Sequence, residues 1–377
     1  MDDVAIIGAG PVGLALAILL AQRGRSVRVF EQRSAPVAHS RAIGLHPPAQ
    51  KVLEQVGVGP AAQRGGVQIR GGLGISRGRS IASMDFSAIG GQYPYVLSLP
   101  QQVTEQLLRE RLEQLAPGSL MLASAFEQVL GQSGQSVEFA AGGALHRARW
   151  LAGADGVRSA VRTDLGVGFA GRDHRDSYLM GDFPDTTGLA HTAALFLHQE
   201  GIVESFPLPG ALRRWVVRIE QTQGDESPGT LAEAICQRTG YLLEAEACTM
   251  TSYFGTATRM VPSMVHGRVV LLGDAAHQIS PIGGQGLSLG LADAQAVAHL
   301  IAARAPIEAL DDLRLGAARS TARRAQVNML LGRALPRWAV PLRDSAISCL
   351  ASSAWLSEKV ARDFTMTGPG QRSIPVA

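Results

Sequence analysis

The stretch Val4–Arg33, VAIIGAGPVGLALAILLAQRGRSVRVFEQR, decides how this chain folds. An apolar run of strand length, Val4–Ile7, meets Gly8, Gly10 and Gly13 and passes into a leucine- and alanine-rich segment that reads as a helix closed by Gly24. Ser26–Gln32 then alternates like a second strand, so the reading is one βαβ unit. Each glycine has a mechanical reason. Gly8 allows the tight turn, Gly10 lets a pyrophosphate approach the backbone, and Gly13 lets helix and strand pack closely. Pro11 and Val12 open the helix, whose N-terminus offers free N–H groups to phosphate oxygens. Glu31 ends the second strand, where an acid binds ribose hydroxyls, and Gln32 and Arg33 follow it. The fingerprint serves NAD and FAD alike.

Two further motifs combine an acid with glycines. In GADGVRSAVR, Gly153–Arg162, Asp155 and Gly156 end a strand, and Arg158, Ser159 and Arg162 follow. Alone, this reads as a helix N-cap with solvated arginines more readily than as a ligand site. In GDAAHQISPIGGQGLSLGL, Gly273–Leu291, Asp274 ends the apolar run VVLLG and a glycine loop leads into a helix. One reading is a glycine-rich connection with Asp274 as the cap. The other aims a second helix N-terminus at a second electron-rich part of the same ligand. Two helix N-termini and two strand-end acids suit FAD better than NAD.

Working outward, Arg64–Arg79 is glycine-rich with little periodicity and reads as a loop or irregular edge. Pro100–Ala116 reads as a helix, and SVEFAA and ARWLAGADG as strands. Between about residues 172 and 261 the texture becomes that of an antiparallel meander: AALFLH, IVESF and RWVVRIE are short alternating runs. The fold class expected is α/β, a Rossmann-like FAD-binding domain with an inserted, mainly antiparallel β-sheet substrate domain and a helical C-terminus. The FAD-binding domain is assigned to 1–70, 100–171 and 262–310, the substrate-binding sheet domain to 71–99 and 172–261, and the C-terminal helical segment to 311–377. Pro336 and Pro341 are expected to break that last segment.

Composition excludes several classes. The net charge of +3 comes without a clustered basic stripe, so no nucleic-acid partner is expected. Cys236, Cys248 and Cys349 form neither a metal motif nor a disulfide framework, and a reducing cytoplasm fits. No apolar run reaches the roughly 18 residues of a membrane span, and a soluble monomer or homodimer is expected.

The three motifs, in this order and spacing, resemble the class A flavoprotein monooxygenases of the p-hydroxybenzoate hydroxylase type, together with SRAIGLHPPAQKVLEQVGV and LPQQVTEQLLRERL. The resemblance implies tightly but non-covalently bound FAD. Gly8, Gly10 and Gly13 would hold its pyrophosphate, Glu31 and Arg33 its adenosine ribose, and Arg41 the ribose-phosphate region. Gln101, four residues before Glu105, would touch the ribityl or phosphate portion. Asp155 belongs to a motif credited with FAD and pyridine nucleotide contacts. Gly273 and Asp274 would bind the ribityl or phosphate end, and Pro281 with Gly284, Gln285, Gly286, Leu287 and Ser288 would line the isoalloxazine. Ser288 stands where relatives usually carry Asn.

The resemblance further implies NAD(P)H as a transient co-substrate, with Arg158 as a candidate contact, and oxygen transfer from a C4a-hydroperoxyflavin formed with O2 to a small aromatic substrate. No catalytic residue and no metal ligand is assigned. If a phenol must lose its proton, His198, Tyr178 and Arg218 are candidates, and His277 reads as a turn support. Met180, Phe206, Phe196, Trp215 and Tyr253 are candidates for the pocket wall or for core. The alternatives carried alongside are a quinone-pathway hydroxylase, a halogenase or reductase, and a non-catalytic FAD-binding sensor.

Overall fold

In a computed structural model, residues 1–35, 42–219 and 226–368 are described. The chain begins β1 (Asp2–Ile7), α1 (Pro11–Ala21), β2 (Val27–Phe30) and α2 (Pro47–Gln55). A hairpin of β3 (Gly71–Ser76) and β4 (Arg79–Asp85) follows, then α3 (Gln101–Leu115), β5 (Ala144–Gly153) and the short α4 (Ala160–Asp164). Next come β6 (Ala170–Pro184), β7 (Ala193–His198), β8 (Gly201–Leu208), β9 (Leu212–Ile219), α5 (Pro228–Thr239), β10 (Met250–Met260) and β11 (Val269–Leu271). Four helices finish the described chain: α6 (Gly286–Ala303), α7 (Ala309–Leu331), α8 (Val340–Ala351) and α9 (Ala354–Phe364).

One sheet has β1 at its centre, parallel to β2 on one side and to β5 on the other, with β11 parallel to β5 beyond it. Strands of this kind, covered on both faces, need unbroken apolar runs, which Val4–Ile7 and Val269–Leu271 supply. Helix α1 lies in the main core, and Leu14, Leu16, Ile18, Leu19 and Leu20 are fully buried, each contributing roughly 2 kcal/mol. Gly8 has φ +103°, and a Cβ there would come 2.5 Å from the Ala154 carbonyl oxygen. At Gly13 a Cβ would fall 2.1 Å from the Gly8 carbonyl oxygen. Both positions are glycine because strand, turn and helix leave no room for a side chain.

The second sheet runs β10–β6–β9–β8–β7–β3–β4, with the short strand His277–Gln278 beyond β10. All its pairs are antiparallel except β7 with β3. One face packs on α5 through Trp215, Leu231 and Ile235, and the other carries Tyr178, Met180, Ile202 and Val216. The glycine-rich stretch read as a loop is therefore largely strand. Its glycines serve close packing, since a Cβ at Gly71 would lie 2.3 Å from the Met84 carbonyl oxygen.

Two other expectations change. Pro341 does not break a helix but stands in the first turn of α8, where its missing N–H is no loss. Helix α6, with 18 residues, does reach the length and apolarity of a membrane span; 61% of it is buried against the rest of the protein, as a core helix would be.

Candidate active site

A cavity of about 670 Å³ is lined from both sheets and from the C-terminal helices. Gly10, Pro11, Val12, Gln101, Gly273, Asp274, Pro281, Gly284, Gly286 and Leu287 form one wall. Three motifs separated by up to some 270 residues thus meet on one space, joined by Ala42, Gly44 and His46 from the segment before α2.

That wall is made of backbone. Gly10 is the N-cap residue of helix α1 and Gln285 that of helix α6, and neither supplies a side-chain cap hydrogen bond. A Cβ at Gly10 or at Gly286 would meet nothing within 4 Å, so both helix starts open onto empty space. The first N–H groups at each helix start lack intrahelical partners, Pro11 having none to offer in α1, and the dipole adds partial positive charge, so each end accepts an electron-rich group. A ligand with a pyrophosphate and, further along, a ring that carries electron-rich oxygen and nitrogen atoms fits these two anchors. Gln101 and Asp274 line the same cavity. Gln101 Nε2 donates to Glu105 Oε1 at 2.8 Å, leaving its amide oxygen free to accept. The Asp274 carboxylate opens into the cavity although protein surrounds it, and burial raises its pKa.

Behind Asp274 lies a buried network that the sequence does not advertise. Asp293, on α6 and fully buried, accepts from Gly273 N–H at 3.1 Å and from His277 Nε2 at 2.6 Å through Oδ2, and from Arg314 Nε at 2.7 Å through Oδ1. Burial pushes the Asp293 pKa up, but His277 and Arg314 outweigh it and hold the group below the usual carboxylate range. The network fixes the Gly273–Ala275 turn to α6 and α7. His277 supports that turn. Arg162, expected to be solvated, is buried and donates to the carbonyls of Ala275 and Val157 at 2.9 and 2.7 Å, tying the second motif to the third.

Other assigned residues lie beside the cavity without lining it. The Glu31 carboxylate accepts from Ala9 N–H at 2.9 Å and pairs with Arg33 at 2.8 Å, and these hydrogen bonds overcome burial to lower its pKa. Gln32 is exposed. Asp155 Oδ2 accepts from Val161 N–H at 3.1 Å, while its buried Oδ1 has no partner among the described residues. Gln285 donates to the carbonyls of Asp363 and Phe364, joining α6 to α9. Ser288 is buried, and its hydroxyl accepts from His46 N–H at 3.1 Å, so it faces α2. Arg41 lies outside the described residues.

The opposite wall is made of side chains: Met180, Leu195, Leu197, Ile202, Phe206, Val216 and Phe254 from the second sheet, and Ile347, Leu350, Leu356, Val360 and Phe364 from α8 and α9. Met180 and Phe206 therefore line it. Phe196 and Trp215 do not; they stack 5.9 Å apart on the other face, because Leu195 and Leu197 take the cavity side of β7. Tyr253 packs on that far face too. None of the three candidate bases lines the cavity. Arg218 is paired with Asp176 at 2.8 Å, His198 accepts from Glu200 N–H at 3.3 Å, and the buried Tyr178 hydroxyl, its pKa raised by burial, has no partner among the described residues. The charged groups that do line this wall are Arg214, held by Asp182 at 2.7 Å, and Glu204, which the sequence reading passed over; the uncharged Ser83, Asn328 and Ser357 line the cavity as well. His46, across from them, is pushed down to a pKa of about 4 by burial and donates from Nε2 to the Gly283 carbonyl at 3.1 Å.

Comparison with known proteins agrees with this geometry. Residues 1–329 match the family model described as FAD binding domain. Rifampicin monooxygenase of Streptomyces venezuelae is 33% identical over 314 residues, covering 78% of this chain and 62% of that protein. The 6-methylpretetramide 4-monooxygenase of Streptomyces rimosus is 32% identical over 318 residues, covering 80% of this chain and 55% of that one. This chain thus spans somewhat over half the length of these relatives. The crystal structure of p-nitrophenol 4-monooxygenase from Pseudomonas putida DLL-E4 superposes with a TM-score of 0.86 over 98% of this chain and 99% of that one; at 23% identity the likeness is one of fold. With its glycine turn, its second uncapped helix and its matched sequence, the chain belongs to the FAD-binding-domain family of the class A flavoprotein monooxygenases.

Proposed function

We propose that this protein is an NAD(P)H-dependent FAD monooxygenase that hydroxylates an aromatic or polycyclic small molecule. The observation that carries the reading is one cavity with two unlike walls: two uncapped helix N-termini on bare backbone face an apolar side-chain wall. Gly10 and the α1 N-terminus would hold the pyrophosphate, Glu31 with Arg33 the adenosine ribose, Asp274 and Gln101 the ribityl-phosphate portion, and Gly284–Leu287 the ring. FAD, when bound and reduced by NAD(P)H, would activate the co-substrate O2, one atom of which enters the substrate ring while the other leaves as water. The α6 N-terminus would stabilise negative charge on a ring placed against it by about 1 kcal/mol. The apolar wall would orient the substrate and exclude water. The 71–99 and 172–261 segments would thus form the substrate side, and the exposed Arg158 beside the cavity's Gly156 would give NAD(P)H a surface cation to meet. Relatives named for rifampicin and 6-methylpretetramide support a ring-bearing substrate.

The test is direct. Purified protein should be yellow with one FAD per chain, a panel of aromatic compounds should stimulate NADH or NADPH oxidation, and a converted compound should gain the mass of one oxygen atom. Colourless protein that takes up no FAD would refute the cofactor assignment. Bound FAD that neither nucleotide reduces, whatever ring is added, would refute the activity and favour a non-catalytic flavin-binding role. Asp274→Ala should weaken FAD about tenfold, the value of one hydrogen bond to a charged group, with the fold intact by circular dichroism; full FAD occupancy would contradict the role given to Asp274.

A further inference from the structure

The apolar wall contains one ionisable side chain that no protein group satisfies. Glu204 is 6% exposed and lines the cavity, and among the described residues nothing hydrogen-bonds or ion-pairs with it. Strand parity puts it there. Ile202, Glu204 and Phe206 of β8 line the cavity, while Val203 packs in the far core and the Ser205 hydroxyl accepts from Arg213. Its neighbours across the sheet, Leu195 and Val216, are apolar and also line the cavity.

The charged and titratable groups on the surrounding elements do not offset it. Arg214 on β9 is held bidentately by Asp182 of β6, with both distances 2.7 Å. Tyr178 of β6 is a buried neutral phenol, His46 on the facing wall is neutral, and α8 contributes only apolar residues to the lining. Burial alone raises the Glu204 pKa to about 7. A buried carboxyl without a partner is costly, and the cost falls when a bound molecule supplies the missing donor. The sheet backbone cannot serve a polar group on that molecule, because its N–H and C=O groups are spent in the ladders.

We propose that Glu204 receives the hydroxyl of a phenolic ring held in the apolar lobe, an inference that rests on the monooxygenase reading above. As the carboxylate it accepts the hydroxyl's hydrogen bond and then its proton. The substrate O–H bond breaks with its electron pair left on oxygen, the proton ends on a Glu204 carboxylate oxygen, and the charge of the site is unchanged. The ring so activated is richer in electrons, as oxygen insertion requires.

The experiment uses the FAD-loaded full chain with 2-naphthol and its methyl ether, binding being read from perturbation of the flavin absorbance. Wild type should prefer the naphthol by about tenfold or more, as a hydrogen bond to a charged acceptor is worth. The preference should grow between about pH 6 and about pH 8 as Glu204 ionises. In Glu204→Leu it should fall to near unity. Glu204→Gln, of the same shape, should keep part of the preference but lose its rise with pH, which secures the test if the leucine variant does not fold. An unchanged preference in Glu204→Leu, a rise with pH retained in Glu204→Gln, or no binding of either compound to FAD-loaded wild type overturns the proposal. Wild type that takes up no FAD instead overturns the cofactor reading, and this inference with it.

Discussion

The two walls of the cavity are built on opposite principles. The α1 and α6 wall presents glycines, helix ends and one carboxylate, and what it recognises is set by backbone geometry. The second-sheet wall presents methyl groups and rings, and what it recognises is set by which side chains face inward. A backbone wall tolerates almost no change at its glycines and suits a constant ligand. A side-chain wall can be rewritten residue by residue while the sheet stays the same, as the proposed role in substrate choice would require.

This contrast breaks most severely if the backbone wall loses its support. Asp293→Ala would leave Arg314 and the Gly273 N–H buried without their acceptor. Removing one partner of a buried ion pair costs about 3–5 kcal/mol, so Tm should fall by roughly 10 °C and FAD should be lost with it. A small Tm change with full FAD occupancy would mean that the turn holds its shape without the network.

The next effect separates fold from ligand on the same wall. At Gly286 a side chain has room in the protein, since nothing lies within 4 Å of a built Cβ, but that room is the cavity itself. Gly286→Val should leave Tm within about 2 °C, given the modest propensity difference, while weakening FAD on the order of 100-fold by filling the space proposed for its ring. Gly13→Val makes the opposite case, because its Cβ would strike the Gly8 carbonyl and the chain itself should fail. Equal behaviour of the two variants in FAD titration and thermal melts would erase the distinction between ligand glycines and packing glycines.

The same contrast explains what could be read without coordinates. The glycine turn Gly8–Gly13 and the acids Glu31 and Asp274 stand out in the sequence because a strand–turn–helix has fixed spacings, and spacing is a property of sequence. Asp293 was not, because its partners Gly273, His277 and Arg314 are 16 to 21 residues away across a turn and two helices, and on α6 it looks like any polar residue. The side-chain wall was half legible. AALFLH, IVESF and RWVVRIE were identifiable as strands, but alternation does not say which face meets the cavity, so Phe196 and Trp215 were as plausible as Leu195 and Leu197. Glu204 did leave a signal: an acid two residues from Ile202 and two from Phe206 shares their face, and apolar neighbours on both sides mark it as buried.

The smallest effect tests whether that side-chain wall is strained in the absence of substrate. The folded pKa of Glu204, about 7, lies above its ordinary 4.5. Between these values the folded state holds a proton that the unfolded chain has released, so stability declines as pH rises from about 4.5 to about 7 and stays lower above it. Glu204→Gln cannot ionise and should escape this decline. Its Tm should match wild type near pH 4 and exceed it near pH 8, by an amount equivalent to about 1–2 kcal/mol once water in the cavity is allowed for. Two melting curves against pH that run parallel would show that Glu204 is solvated well enough to ionise freely. The apolar wall would then be wetter at its centre than its lining implies, and a bound phenol would have to displace that water before reaching the carboxylate.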